Sequence, residues 1–520
     1  MMVLFGLRAR RVLDVLRREG VIGLGRRLYH VGRRWLRGDA YSRWVRAHRL
    51  TPAEQAQLRQ QAVALTRQPL ISVITPVYNT DASWLCACLD SVLAQLYPHW
   101  ELCIADDAST LPHVHAILEG YATRDRRIKV VYRQENGHIS AATNSALTLA
   151  TGEFVAFLDH DDVLASEALF EVALAINALP DADLFYSDED SLGRRGRRLR
   201  PIAKPDWSPL LLRSHNYISH LLVMRRDLVN RLGGCRMGLE GAQDYDLILR
   251  AVEQIQPQQI HHIRRVLYHW RIHPDSTAAG AKVKRYAESS SHRAVTEHLQ
   301  RTGVDARVEP TSGRPYIHRL CYPVPPQARA SIIIPTRDRL DLLQPCLGGL
   351  WKGVDYPELE VIVVDNGSAR PEVLSYLVKI AARPDIRVLR DDARFNFSAL
   401  CNLGARAATG ELLCFLNNDI LVTEPGWLAE LAGLALQPGV GAVGPLLRYP
   451  DGRIQHMGIK LKQPWGAQLI GHGQGYVQTR RTLAMWTVRN VVAVTGACLV
   501  VSRAAFEAVG GFDERLPVAF

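Results

Sequence analysis

Nowhere in this 520-residue chain is there an apolar run long enough to cross a bilayer. The longest, Val491–Val501, falls well short of the roughly twenty residues that a spanning helix needs. The arginines that begin at Arg8 are followed by no apolar h-region, which argues against a secretory signal. Cysteine is sparse: of nine, Cys86 and Cys88 lie close together, and no CxxC pair or Cys/His ligand spacing occurs. Reduced, buried cysteines of a cytosolic protein are therefore expected, not a disulfide framework or a zinc motif. The glycines form no dinucleotide loop, because GHGQG (Gly471–Gly475) lacks GxGxxG spacing and no helical pattern follows it. PVYNTDASW (Pro76–Trp84) is not a Gly-rich phosphate loop bearing Lys or Arg, which disfavours a nucleotidyltransferase.

An apolar content of 47% and a charged content of 22% are those of an ordinary globular protein, and the length leaves room for two or three domains. The net charge of +11 is uneven. Ten arginines from Arg8 to Arg37 are interleaved with Leu, Tyr29 and Trp35, and Gly20, Gly23 and Gly25 break the segment in two. Such a basic helical arm suits peripheral contact with an anionic membrane, and equally a solvated arm or a helix packed on the next domain. No nucleic-acid module accompanies the charge, so nucleic acid is not an expected partner.

The chain spells one phrase twice. PVYN (Pro76–Asn79) leads to ADDAS around Asp106 and FLDHDD around Asp159; PTRD (Pro335–Asp338) leads to VDNGS around Asp365 and FLNND around Asn417. The first interval is 30 positions in both copies, and the second is 53 in one and 52 in the other. Conserved intervals of this kind mean a tandem duplication. Short β-branched runs alternate with helical stretches, placing strands at Ile71–Thr75, Glu101–Ala105, Ile128–Tyr132 and Phe154–Leu158. In the second copy they fall at Ser331–Pro335, Val361–Val364, Ile386–Leu389 and Leu412–Leu416. One helix between successive strands implies βαβ units, an α/β class with mostly parallel sheets, and a ligand site beyond the carboxyl ends of the strands. The expected domains are a basic helical region over 1–68, a first α/β domain over 69–278, a helical and Pro-rich linker over 279–328, and a second α/β domain over 329–520.

Asp159 and Asp161 of the DHD triplet put two carboxylates on one loop at a strand end, a hard-oxygen set that suits Mg²⁺ or Mn²⁺ beside a substrate's phosphates. Downstream, EGAQDYDLILR opens a helical pattern with Asp244 and Asp246, and YHWRIHPDST holds His269 and His273. A second acidic position there fits a general base, although an acidic residue at a helix start also serves the helix dipole. Arg194, Arg195, Arg197, Arg198 and Arg200 follow SDED (Ser187–Asp190) and read as a solvated loop or a contact for an anionic lipid-diphosphate acceptor.

Taken together, PVYN, ADDAS, QENGHISAATN, FLDHDD, QDYD and HWRIHPDST resemble the inverting family 2 glycosyltransferases of GT-A fold. The tandem form, with FNFSALCN, FLNND and GGFDE in the second copy, is similar to large bacterial enzymes that build O-antigen and related surface polysaccharides. The resemblance covers Leu70–Phe520. It implies two tandem GT-A (Rossmann-like) domains that use a nucleotide-diphospho-sugar donor and a glycan or lipid-linked glycan acceptor. A cytoplasmic protein at the inner face of the bacterial plasma membrane is implied with it. Pro76, Tyr78, Asn79, Asp106, Asp107, Asn144 and Asp159 would bind the nucleotide sugar, as would Pro335, Asp365, Asn402 and Asn417 in the second copy. Asp159, Asp161 and His273 would hold a divalent cation, with Asp161 the direct ligand and His269 a rival to His273; Asp419 is the second copy's metal position. Asp244 would be the catalytic base. The chain departs from the family pattern at Gln243 and at Thr143.

Asn417 replaces Asp159 in the second copy, and the spacing from Gly511 puts the second base just past Phe520. The expectation is a C-terminally truncated chain or a second domain that is not a complete transferase. Two alternatives follow: catalysis by the first domain with glycan binding by the second, or a non-catalytic membrane-associated scaffold.

Overall fold

A computed structural model describes residues 40–193, 196–273, 285–311, 314, 316–353, 356–462, 466–476 and 485–518. The arginines from Arg8 to Arg37, Arg194, Arg195 and the Pro274–Thr277 end of HWRIHPDST lie outside the described residues. The chain divides into two compact units: up to Trp207 with Tyr217–Ser291, and Ser208–Asn216 with His292 onward.

In the first unit, β1 (Ile71–Val77) and β2 (Trp100–Asp106) are buried along their whole length. Near-continuous apolar text of this kind belongs to strands covered on both faces by helices. β1 pairs in parallel with β2 and with β4 (Phe154–Phe157), and β2 with β3 (Ile128–Tyr132). The register sets Val77 beside Asp106, so the PVYN turn and the Asp-Asp pair emerge together at one sheet edge. Beyond β4 the sheet becomes mixed. It takes in β5 (Val163–Leu164), β6 (Leu184–Leu192), β7 (Arg198–Ile202), β8 (Leu222–Arg225) and β9 (Ile260–Arg271) in the order β3-β2-β1-β4-β8-β6-β9-β5, with β7 on β6. β8 runs antiparallel to β4 and to β6. Strand β6 (LFYSDEDSL) is buried at every position despite its acidic centre, which only folded partners could make tolerable. Helix Pro52–Ala64, opened by a Thr51–Glu54 capping box, lays Ala62 into this unit's core.

The second unit adds β10 (Arg307–Pro310) and β11 (His318–Cys321) as a ribbon, then repeats the parallel half. β12 (Ala330–Thr336) pairs with β13 (Leu359–Asp365) and β15 (Leu412–Leu416), and β13 with β14 (Ile386–Arg390). After β16 (Ala442–Val443) come two antiparallel ribbons, β17 (Leu447–Arg448) with β18 (Ile454–His456) and β19 (Ile459–Lys462) with β20 (Gly466–Leu469). β21 (Cys498–Ser502) returns antiparallel to β15 and β16.

One buried clasp ties the parallel half in both units. Ser72 Oγ donates to Glu101 (2.7 Å), which also accepts from the Thr151 backbone (2.6 Å) and hydroxyl (2.9 Å), while Gly152 N–H donates to Ser72 Oγ (2.9 Å). Ser331, Glu360, Thr409 and Gly410 make the same set at 2.5, 2.6, 2.8 and 2.9 Å. A Cβ on Gly152 would sit 2.6 Å from the Leu70 carbonyl oxygen, and one on Gly410 2.6 Å from that of Arg329, so the repeated ATGE needs its glycine. The ATGE at both Ala150–Glu153 and Ala408–Glu411 is a signal that could have revealed this clasp from the sequence.

Candidate active site

The ends of β1 and β2 form the first wall. Asn79 is left-handed (φ 46°), and its Oδ1 accepts the N–H groups of Thr110 (2.8 Å) and Leu111 (3.1 Å), lashing the PVYN turn to the ADDAS loop. Asp338 does the same in the second unit (φ 50°), accepting from Ala369 and Arg370 at 2.8 and 3.0 Å. Tyr78 is exposed beside it. Asp106 is buried; its Oδ2 accepts from Ser109 N–H (3.3 Å), whereas its Oδ1 and Thr75 Oγ1 have no hydrogen-bond partner among the described residues. Asp107 turns inward, accepting from Arg133 Nε (2.7 Å) and Gly137 N–H (3.0 Å).

Two positions expected at the nucleotide sugar have another task. Asn144 Nδ2 donates to the Cys235 carbonyl while its Oδ1 accepts from Cys235 N–H, both at 2.8 Å. Asn402 clasps Phe512 in the same way at 2.9 and 3.0 Å. An amide supplies the adjacent donor and acceptor that a buried peptide needs, so these asparagines hold the turns after Gly233-Gly234 and Gly510-Gly511. The side-chain amides of Asn144 and Asn402, expected at the nucleotide sugar, are both engaged with these turns.

The DHD loop follows β4. His273 Nε2 lies 2.8 Å from Asp161 Oδ2, with the imidazole 4.7 Å from the Trp84 ring. Its rival His269 is held elsewhere: its Nδ1 is 2.7 Å from Asp190 Oδ1, and Asp190 also accepts from Tyr41 and Arg198. Arg198 of the expected basic loop is thus engaged within the first unit. The neighbouring Asp162 is an anchor, accepting from Tyr268 Oη and Arg271 N–H, both at 2.7 Å. Burial and the charges of Asp161 and Asp159 push its carboxyl far up.

A residue absent from the sequence reading closes this wall. His220, at the start of β8, lies 3.7 Å from Asp159 Oδ2 through Nε2 and 3.2 Å from Glu189 Oε2 through Nδ1. Burial alone would lower its pKa, but the two carboxylates raise it well above the usual histidine range. For Asp159 burial works upward, and His220 outweighs it to hold the carboxyl below its usual value. SHL gives no periodic cue; a clue lay in the oddity of an acidic SDED inside a buried strand, which demands cationic partners.

Asp244 and Asp246 open helix Gln243–Val252 and part company. Asp246 is fully buried between Arg236 and Arg250 (2.8 Å to Arg250 Nε), a structural ion-pair set. Burial pushes the Asp244 carboxyl above its ordinary value, the charge of His220 draws it back, and Asp159 adds to the rise. Asp244 therefore shares an electrostatic field with the DHD loop. Carboxylate oxygens such as those of Asp159 and Asp161, with an imidazole nitrogen, are donor types that suit Mg²⁺ or Mn²⁺; among the described residues the ligand atoms that lie within 4.8 Å of one another are those of Asp159, Asp162 and His220.

In the second unit Asp365 is already paired, accepting from Ser368 Oγ (2.5 Å) and from Arg390 Nη1 (3.0 Å). Asn417 is half-buried and Asp419 exposed. A groove of ≈ 1130 Å³ in this unit is lined by residues such as Trp351, Tyr376 and Arg383 and shares none with the repeated phrase, so chemistry outweighs size in locating the site.

The chain is 44% identical over 461 residues to an uncharacterised protein, y4gI, of Sinorhizobium fredii, covering 88% of this chain and 50% of that one. It is 41% identical over 483 residues to the O-antigen biosynthesis protein RfbC of Myxococcus xanthus, covering 92% and 37%. The chain thus spans half or less of the length of these relatives. Among solved structures, S. aureus TarS 1–349 in complex with UDP-GlcNAc aligns at 23% identity and TM-score 0.37, covering 44% of this chain and 66% of that one. The family model described as Glycosyl transferase family 2 matches residues 72–233 and 331–510, one segment in each copy of the repeat, and the chain belongs to that family.

Proposed function

We propose that the first unit is a cation-dependent, inverting glycosyltransferase that moves a sugar from a nucleotide-diphospho-sugar to a growing O-antigen-like surface polysaccharide. What supports this reading is the contact of His273 with Asp161 on the loop after β4, with Asp159 and His220 the charges that act on Asp244. Asp106 Oδ1 and Thr75 Oγ1, buried and without a hydrogen-bond partner among the described residues, offer acceptors for the N–H edge of a nucleobase. Asp159, Asp161 and His273 would hold Mg²⁺ or Mn²⁺, whose chemistry when bound is to offset the charge growing on the leaving nucleoside diphosphate. Asp244 accepts the proton of the acceptor hydroxyl as that oxygen attacks the anomeric carbon from the side opposite the leaving group, so a single displacement inverts the centre. A carboxyl raised by burial is a stronger base than a solvated one, which suits this role.

The second unit is read as a partner that binds acceptor glycan. Asn417 stands in place of Asp159, and Arg390 already neutralises Asp365. The protein works in the cytoplasm at the inner membrane face, with the Arg8–Arg37 segment meeting anionic lipid. Nucleotide sugars are screened for Mn²⁺-dependent turnover with the full chain. Turnover that survives EDTA and the Asp161→Ala change would defeat the reading in favour of a different site, and no turnover with any donor would favour a scaffold.

A further inference from the structure

We infer that His220 is a positioning residue of the first unit's site: its Nε2 edge orients the Asp159 carboxylate, while Glu189 and Lys204 fix the imidazole from behind. The inference rests on the proposed cation site. Its geometry is a chain of alternating charge that runs from buried Lys204 and Glu189 through part-buried His220 to Asp159, whose side chain is 43% exposed. Lys204 Nζ donates to Glu189 Oε2 (3.0 Å), to the Ile218 carbonyl (2.6 Å) and to the carbonyl of His220 itself. Glu189 Oε2 meets His220 Nδ1 (3.2 Å), and His220 Nε2 faces Asp159 (3.7 Å). The imidazole stacks on Tyr268 at 4.5 Å and 11°, and the Tyr268 hydroxyl takes the Asp159 N–H (3.2 Å) and donates to Asp162. Loop and ring are thus fixed from both sides.

The side-chain atoms of Asp159, Asp162 and His220 lie within 4.8 Å of one another, a grouping that could itself be taken for a metal site. Both Asp162 oxygens are already engaged by Tyr268 and Arg271, however, so Asp159 is the carboxylate left for a ligand, and His220 acts through it.

The second unit supplies an internal control. Strand register equates Phe157 and Leu222 with Phe415 and Leu499, and so Asp159 with Asn417 and His220 with Ala497. There the Asn417 N–H donates to the Ala497 carbonyl (2.9 Å) and the sheet closes without the pair. The strand that would carry Glu189 has also shrunk. β16 pairs with β21 as the start of β6 pairs with β8, but it stops after two residues and runs into Pro445-Leu446-Leu447. Carboxylate, imidazole and supporting acid are missing together while the fold persists. Parts needed only to support the sheet would not have to be lost as a set; parts of one working device would.

Full-length His220→Phe keeps the stack on Tyr268 and loses both nitrogens; His220→Gln restores an N–H donor near the Nε2 position. Thermal melting establishes folding. Mn²⁺ binding is then read from the EPR signal of free Mn²⁺, with the metal alone and with added UDP or GDP. Outer partners of metal ligands alter affinity by about 10–100-fold, so H220F is expected to bind Mn²⁺ at least about tenfold more weakly, with H220Q within about threefold of the unaltered protein. If H220F does not fold, Glu189→Gln makes the same test from behind the ring, with an expected loss of a few-fold. Mn²⁺ binding unchanged in these variants but lost in D161A overturns the role of His220 and leaves the cation site standing. Binding unchanged in D161A as well removes the cation site and this inference with it.

Discussion

Asp244 and Asp246 are two residues apart on one helix, yet the fold gives them opposite tasks. Asp246 is sealed between two guanidinium groups, and Asp244 faces the field of Asp159 and His220. Asp244→Asn should leave the melting temperature nearly unchanged and cut turnover by about 10²–10⁴-fold, the usual worth of a general base. Asp246→Asn should instead cost about 3–5 kcal/mol of stability by stranding buried charge, measurable by urea unfolding. A base must be ionised to act, and burial raises the Asp244 carboxyl. The acidic limb of kcat/KM should therefore fall at a pH above the ordinary Asp value and disappear in D244N. A limb at the ordinary value would show that Asp244 is not the titrating group. Asp244 stands out in the sequence only through the family resemblance, since nothing in QDYD itself distinguishes the two aspartates physically. Arg250 meets Asp246 as an i,i+4 pair within the helix, whereas Arg236 reaches it only once the loop after Gly233-Gly234 has folded back.

At the scale of elements, the parallel strands were legible because burial on both faces leaves uninterrupted β-branched text. β3 runs over the expected residues, and β1 and β2 extend the expected spans by one or two at an end. The mixed half was not legible: β6 carries its partners' charges inside, so its text looks exposed. The Glu101 clasp offers a pH test of how these elements hold together. Burial works to raise the Glu101 carboxyl, but Lys129, Ser72 and Thr151 together depress it from 4.5 to about 2. A depressed folded pKa means that the clasp contributes its full stability above pH 4.5 and loses it as pH falls toward about 2. Urea midpoints of the unaltered chain should drop across that window. E101Q should be less stable at neutral pH and flatter across the window; parallel curves would rule the clasp out as the source. Asn144→Ala should cost about 1–3 kcal/mol, because it leaves the Cys235 N–H and carbonyl without their partner.

For the molecule as a whole, the duplicated phrase announced two domains, and strand register now separates what was copied from what was kept. The Glu101 and Glu360 clasps, the Asn79 and Asp338 lashings and the Asn144 and Asn402 turns recur with equivalent backbone partners, and each ties loops to strands or helices. The differences gather where chemistry is proposed: Asn417 for Asp159, Ala497 for His220, and Arg390 set against Asp365 where Asp106 Oδ1 has no hydrogen-bond partner among the described residues. Spacing alone reveals the duplication and the Asn417 change but not the rest of this divergence, since Ala497 and Arg390 lie outside the repeated words and come into register only through β21 and β14. If both units transferred sugar by the same chemistry, Asp161→Ala and Asp419→Ala would each remove part of the Mn²⁺-dependent turnover. The asymmetry argues otherwise. D161A should abolish it, whereas D419A should leave the rate within about twofold, since an isolated exposed carboxylate beside an amide is a weak hard-cation site. Comparable losses in the two variants would mean that the second unit reacts through ligands other than those its repeat retained.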